Sequence, residues 1–375
     1  MWQPQSLFNQ FLLRTPTVLL GRAAIRGLYN YQAGRIAVIH GSSFFDGELL
    51  EETLKKKSVR FFKRSWDGEP DLSSLSDTVS DLENYQPDTI IACGGGSVID
   101  GVKLCRALYE FPYIDKNNMN LGGLPFKTRF IAIPTTFGSG AEVSSAAVYV
   151  EESTRRKEML VAHELQPDVV VYDPSYLTKM PLRLICASAL DAAAHMIEGY
   201  VSNIENSFAE AIAESGLVAL RGELSKLLVD RNAEIDFERL QYVGFSGGIV
   251  QNHCIVGTAH AVAHQLTGYG YSHGEAVALL LPTVIQLNND LSDANGKYER
   301  LAERTGFDSV ASMQEFLEKT ARLGKIDERQ DALKKLLTEL ISDNQFLSNV
   351  KRDRGGKGNP VEITDDYLKE LIRRM

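Results

Sequence analysis

Cysteine is scarce in this chain and follows no pattern: Cys93, Cys105, Cys186 and Cys254 stand far apart, with no Cys-x-x-Cys spacing. That argues against a disulfide frame or a cysteine-based zinc knuckle and suits reduced thiols in a cytoplasmic protein. Long apolar runs are also missing. The longest, 276–281, is stopped by Pro282 and is far too short to cross a bilayer, so no membrane partner is expected. Residues 1–16 lack a basic start followed by a long apolar core, so no signal peptide is expected either. Positive charge is in deficit: 40 Lys and Arg against 49 Asp and Glu leave a net charge of −9. Phosphate backbones are held by basic faces, so this balance argues against a nucleic-acid partner.

At 375 residues the chain is long for one core, and two domains are the natural expectation. The first half alternates short β-rich runs (17–20, 35–40, 59–62, 88–92, 130–133) with helical stretches near 46–56, 72–85 and 98–109. Such alternation predicts a doubly wound, mostly parallel α/β sheet. Further strand-like runs at 146–150, 158–161 and 169–172 close this half. Beyond Asp173-Pro174 the texture becomes helical, with segments near 183–201, 206–229, 233–253, 274–290, 294–304, 311–322, 328–342 and 364–373. The predicted organisation is an α/β N-terminal domain over 1–178 and an all-α C-terminal domain over 179–375.

Four of the seven histidines fall in one region beside a carboxylate. Asp191 and His195 are four apart, so on a helix they leave the same face, and His260 and His264 repeat that offset before His273. Taken singly, such a pair is ordinary core or surface chemistry. Two pairs and a fifth candidate in Ala-rich helix point instead to a divalent transition metal, because burying so many polar groups without a partner costs several kcal/mol. One carboxylate with imidazoles suits Fe or Zn and suits Mg or Ca poorly.

The GxGxxG fingerprint is absent. In its place Gly94-Gly95-Gly96-Ser97 follows a buried-type strand and opens a helix, where free N–H groups attract anionic oxygen. A second loop, 134–144, carries Thr135, Thr136 and Ser139 at the end of the next strand, where open α/β sheets bind ligands. Two such loops favour a nucleotide over self-capping turns. An acid after the strand at 35–40 is missing too: Gly41 and Ser42 stand there, with Lys63 and Arg64 ending a neighbouring strand. An acid would repel a 2′-phosphate, so its absence predicts that NADP is accepted and preferred.

GGGSVID-x-x-K, IPTTFGSGAEVS, DPSYLTKMP, ALDAAAHMIEGYVS and AHAVAHQLTGYGYSHGEAVALLLP occur in this order, and Asn359-Pro360 follows near the end. Over nearly its whole length the chain resembles the iron-dependent (group III) alcohol dehydrogenases, which share the dehydroquinate synthase-like fold. The resemblance implies a metal in a cleft between two domains, held by Asp191, His195, His260 and His273, with His264 as the non-ligand histidine near nicotinamide and substrate. It also implies that Gly95, Gly96 and Ser97 meet the pyrophosphate, and that Thr135, Thr136 and Ser139 meet the nicotinamide half. Gly41, Ser42, Asp100 and Lys157 complete the cofactor set. One departure is that His260 and His273 are 13 residues apart, one fewer than in the alcohol-reducing members. Tyr269 and Tyr271 in that short loop hint at a hydroxyl-lined pocket.

The implied reaction is hydride transfer between NAD(P) and a small alcohol or aldehyde, aided by Fe(2+) or Zn(2+), in a cytoplasmic homodimer. Two other readings stand beside it. A cyclase or lyase of the dehydroquinate synthase type would reoxidise its NAD within one turnover, but those enzymes use Glu where this chain has Asp191. A non-catalytic nucleotide-binding protein need not keep four ligand positions intact.

Overall fold

The computed structural model describes residues 15–375 apart from 31–33, 42–46, 56, 115–120, 153–155, 267 and 292–295. Short apolar runs build the sheet of the first half, buried on both faces at its centre and partly exposed at its two edges. Its strands are β1 (Thr17–Leu20), β2 (Arg35–His40), β3 (Ser58–Lys63), β4 (Thr89–Gly94) and β5 (Arg129–Pro134); β6 (Ala146–Glu151) and β7 (Arg156–Val161) stand apart, and β8 (Val169–Tyr172) rejoins it. The six strands run parallel in the order β1-β8-β5-β4-β2-β3. β4 is buried at every position, as a strand covered by helices on both faces should be.

Strand order reverses between β2 and β4: the chain steps from β2 out to β3, then returns to the far side of β2 for β4. Such a reversal of strand order is where open α/β sheets bind ligands, at the carboxyl ends of the strands. Helices α1 (Gly47–Leu54), α2 (Ser76–Tyr85) and α3 (Gly96–Glu110) supply the crossovers. β6 and β7, expected to close the parallel half, pair only with each other and run antiparallel. β6 is buried only at Ala147 and Val150, unlike the fully covered strands of the parallel sheet.

The second half is helical, as its texture predicts. It comprises α4 (Leu182–Val201), α5 (Ser207–Val229), α6 (Phe237–Cys254), α7 (Thr258–His264), α8 (His273–Leu291), α9 (Lys297–Arg304), α10 (Val310–Leu323), α11 (Gln330–Leu340), α12 (Asn344–Arg352) and α13 (Asp365–Arg374). α4 is buried continuously from Ile185 to Val201, the mark of a central helix rather than an amphipathic surface one. It packs against α5, α8, α9 and α10. No helix among the described residues is long and apolar enough to cross a membrane.

Contacts divide the chain into two compact units, one holding 16–180 with 236–248, the other 181–235 with 249–375. The first part of α6 joins the α/β unit for a steric reason. Gly244 lies so close to the loop after β5 that an added Cβ would stand 2.7 Å from the Phe137 carbonyl oxygen. At Gly248 an added Cβ would stand 2.8 Å from the Gly140 carbonyl oxygen. Tyr172 and Phe245 meet edge to face alongside, with centroids 6.3 Å apart.

Glycine substitutions in two helices should thus have opposite signs. Gly244→Ala gains helix propensity of about 1 kcal/mol but collides with backbone, so a net loss of about 1–3 kcal/mol is expected. Gly222 in α5 has open space around its missing Cβ, so Gly222→Ala should stabilise by about 0.5–1 kcal/mol. Urea unfolding of the two variants checks both.

Candidate functional site

Asp191, His195 and Glu198 sit on α4 at spacings of four and three, so one face of a buried helix carries all three. α7 brings His260 and His264, and the first residue of α8 is His273. The structure gathers these side chains. Ligand atoms of Asp191, His195 and His260, all buried, lie within 4.8 Å of one another. His273 Nε2 joins through Asp191 Oδ1 at 3.6 Å, and His260 Nε2 stands at the same 3.6 Å from that oxygen. The His195 and His260 rings stack at 4.4 Å, and those of His264 and His273 at 5.2 Å.

The donor set fits a metal. At 3.6 Å, His260 Nε2 is beyond hydrogen-bond distance of Asp191 and has no other hydrogen-bond partner, although it is buried. Two ligand atoms of one tetrahedral shell with bonds of about 2.1 Å are separated by about 3.4 Å. Burial alone would keep the His260 ring neutral, but the Asp191 and Glu198 carboxylates outweigh it and hold the imidazole pKa up at about 9. The pocket therefore favours positive charge at this point, and a cation satisfies the same demand.

Glu198, which sequence reasoning passed over, accepts from His260 Nδ1 at 2.5 Å and from the Ala259 amide at 2.7 Å. Its signal was present in the spacing, since it continues the Asp191–His195 face. Asp353 was also missed: it sits 3.0 Å from His264 Nδ1, accepts from Gln265 Nε2 at 3.1 Å and caps the Gly355 amide at 2.7 Å. No sequence signal links Asp353 to a histidine 89 residues away.

In the α/β unit the two expected loops meet. Gly95 caps α3, and an added Cβ there would stand 3.1 Å from Thr136 Oγ1; at Gly96 it would meet Ser139 Oγ at 2.5 Å. The Thr135 amide donates to the Gly94 carbonyl at 3.1 Å, and the Gly41 amide to that of Cys93 at 3.3 Å. Gly41, Gly95, Gly96, Ser97, Thr135, Thr136 and Ser139 are thus gathered at strand ends; Ser42 lies outside the described residues. Arg64 donates to Ser97 Oγ at 2.9 Å, and Ser97 Oγ donates to the Gly68 carbonyl.

Asp100 and Lys157 are engaged elsewhere. The Asp100 carboxylate takes Lys103 Nζ at 3.1 Å and the Val148 amide at 3.2 Å, tying α3 to β6. Lys157 pairs with Glu69.

Family models for the iron-containing alcohol dehydrogenases match residues 16–174 and, for their C-terminal part, 185–375. The chain belongs to the iron-containing alcohol dehydrogenase family. It is 28% identical over 321 residues to an alcohol dehydrogenase of Thermococcus barophilus, covering 82% of each chain. To the NADPH-dependent butanol dehydrogenase of Clostridium saccharobutylicum it is 27% identical over 379 residues, covering 95% of each. The iron-containing alcohol dehydrogenase of Thermococcus thioreducens shares the fold, with a TM-score of 0.85 at 24% identity over 97% of this chain and 99% of that one. The chain spans only 34% and 38% of two longer aldehyde-alcohol dehydrogenases that it also matches.

Within this member of the family, the short loop before His273 has its own fastening. Gly268 and Gly270 take φ of +90° and +79°, turning the chain where a bulkier residue would be strained. The Arg329 guanidinium lies 3.9 Å over the Tyr271 ring, donates to the Gly270 carbonyl at 2.9 Å and meets Glu275 at 3.3 Å. Glu275 in turn accepts from Arg183 Nε at 2.6 Å. The face of Tyr271 is therefore committed to Arg329, while Tyr269 is half exposed. Replacing Arg329 by Ala removes a stacked cation and a carbonyl contact, about 1–2 kcal/mol. Amide exchange over 268–272 should accelerate about 5- to 30-fold, with exchange in α4 unchanged, as hydrogen-exchange mass spectrometry would show.

Proposed function

We propose that this chain is a metal-dependent oxidoreductase that moves a hydride reversibly between a nicotinamide cofactor and a small alcohol or aldehyde. The observation that carries the proposal is the single Asp191 oxygen held 3.6 Å from both His260 Nε2 and His273 Nε2 in a member of this family. Asp191, His195, His260 and His273 would hold one Fe(2+) or Zn(2+). Bound there, the ion would act as a Lewis acid toward the substrate oxygen.

The chain's own groups do the rest. Amides of the Gly95–Ser97 turn, at the positive end of α3, receive the pyrophosphate. Thr135, Thr136 and Ser139 offer hydroxyls to the nicotinamide half. Asp353 orients His264 through Nδ1, so proton exchange with substrate or solvent falls to Nε2 of that ring. His260→Ala or His273→Ala should lose metal and activity together. His264→Ala should keep the metal and lose about 10²–10⁴ in rate. Metal content and turnover measured on the same preparations decide this, and full turnover by the His260 variant would refute it.

For the cofactor, the proposal is NADP. Arg64 follows the last residue of β3 beside the Ser97 turn, its amide donating to the His40 carbonyl at 3.1 Å, and Lys63 is exposed next to it in register with His40. Arg64 Nε is buried with no hydrogen-bond partner, so this side chain keeps a donor for a 2′-phosphate. A relative is NADPH-dependent by name. A lower KM for NADPH than for NADH is expected, and a strong NADH preference would defeat it. A cytoplasmic homodimer belongs to the same proposal.

A further inference from the structure

Glu198 is the one buried carboxylate at the histidine cluster that the proposed chemistry does not use. It is 2% exposed, and both of its oxygens are committed. Oε2 lies 2.5 Å from His260 Nδ1, and Oε1 accepts from the Ala259 amide at 2.7 Å. The space around it is closed. An added Cβ at Gly257 would stand 2.9 Å from Glu198 Oε1 and 2.9 Å from Asn359 Oδ1, and Asn359 Oδ1 itself accepts from the Thr258 amide at 3.3 Å. The carboxylate thus joins α4, which carries Asp191 and His195, to the first turn of α7, which carries His260.

We propose that Glu198 is a positioning residue that fixes the His260 tautomer and thereby turns its Nε2 lone pair onto the Asp191–His195–His273 cluster. This rests on the metal reading given above. A carboxylate only accepts, so in the neutral ring that a metal ligand must be, the one proton sits on Nδ1. Nε2 is then an acceptor aimed at Asp191 Oδ1, 3.6 Å away. Two acceptors facing each other across that gap repel unless a cation stands between them. Outer-shell carboxylates of this kind orient a ligating imidazole and raise its basicity toward the ion.

Glutamine cannot reproduce this arrangement. Its carbonyl can serve either His260 Nδ1–H or the Ala259 amide, and its NH2 then faces the other partner. Facing the Ala259 amide, it sets donor against donor. Facing Nδ1, it forces the ring proton onto Nε2, where it blocks a ligand position. Its shape is that of glutamate, so the fold should survive.

The test is zinc affinity by chelator competition on metal-free wild-type protein and Glu198→Gln, with far-UV circular dichroism as the check on folding. The variant should keep the wild-type spectrum and bind Zn(II) about ten- to a hundredfold more weakly. Equal affinity would overturn the Glu198 role alone, whereas a wild-type protein that takes up no zinc would overturn the metal reading and this inference with it. Should the variant fail to fold, the wild type decides. In Zn(II)-loaded protein labelled with ¹⁵N-histidine, His260 should show a slowly exchanging Nδ1–H and a metal-bound Nε2. A bare or metal-bound Nδ1 would contradict the inference.

Discussion

Two carboxylates, Asp191 and Glu198, are buried on one face of the central helix of the helical unit, within reach of the same imidazole. Removing a charge from water costs several kcal/mol even after relaxation, so this face of α4 is tolerable only with matching positive charge nearby. A protonated His260 supplies one unit, and a divalent ion supplies two. The rest of the helical unit follows from that demand. α7 is short, is preceded by Gly257, whose missing side chain leaves room for Glu198 and Asn359, and presents His260 at its first turn. The buried amides of Asn288 and Asn359 bind each other at 2.9 and 3.2 Å and tie the same turn to α8. Tyr367 donates to Asn288 at 2.7 Å and brings in α13. The Asn288, Asn359 and Tyr367 side chains satisfy one another, and such networks specify a unique arrangement.

Among its described residues the α/β unit has no dense positive patch at its strand ends; the groups an anion could meet there are the amides at the start of α3, hydroxyls on the neighbouring loop and one arginine. Buried Lys103 is easily mistaken for a ligand group, yet its Nζ is spent on Asp100 and on the carbonyls of Ser144 and Ala146. Burial lowers its pKa while Asp100 and Glu142 raise it, and its three donors fasten the segment that follows the hydroxyl-rich loop. The motif GGGSVID-x-x-K thus divides its labour, the glycines and serine at the strand end and the Asp and Lys inside the fold.

Much of this was legible in the residues because periodicity reports burial directly. The strands at 35–40 and 169–172 show in sequence with the bounds they take in the fold, and α4 and α5 within a residue or two. α7 was read only through the His260–His264 offset, and α12 was not read as a helix, because seven and nine residues give too few turns for a pattern to emerge. The antiparallel pairing of β6 with β7 depends on which faces are covered, a tertiary fact that strand propensity does not carry. At the site, spacing exposed Asp191, His195 and His260 because they share local helical offsets. Asp353 reaches His264, and Arg329 reaches Tyr271, across long stretches of chain with no local trace. The Asp100 carboxylate, read in sequence with the cofactor residues, turns to Lys103 and the Val148 amide, and motif membership alone could not reveal that direction.

The central claim is that this cluster of one aspartate and three histidines grips a single divalent ion. Titration of reduced, metal-free protein with Co(II), followed by visible absorption, tests it most directly. The account predicts saturation at one ion per chain, with the intense bands of a low-coordinate N/O site. A titration that never saturates, or one that leaves only the weak spectrum of aqueous cobalt, would contradict it.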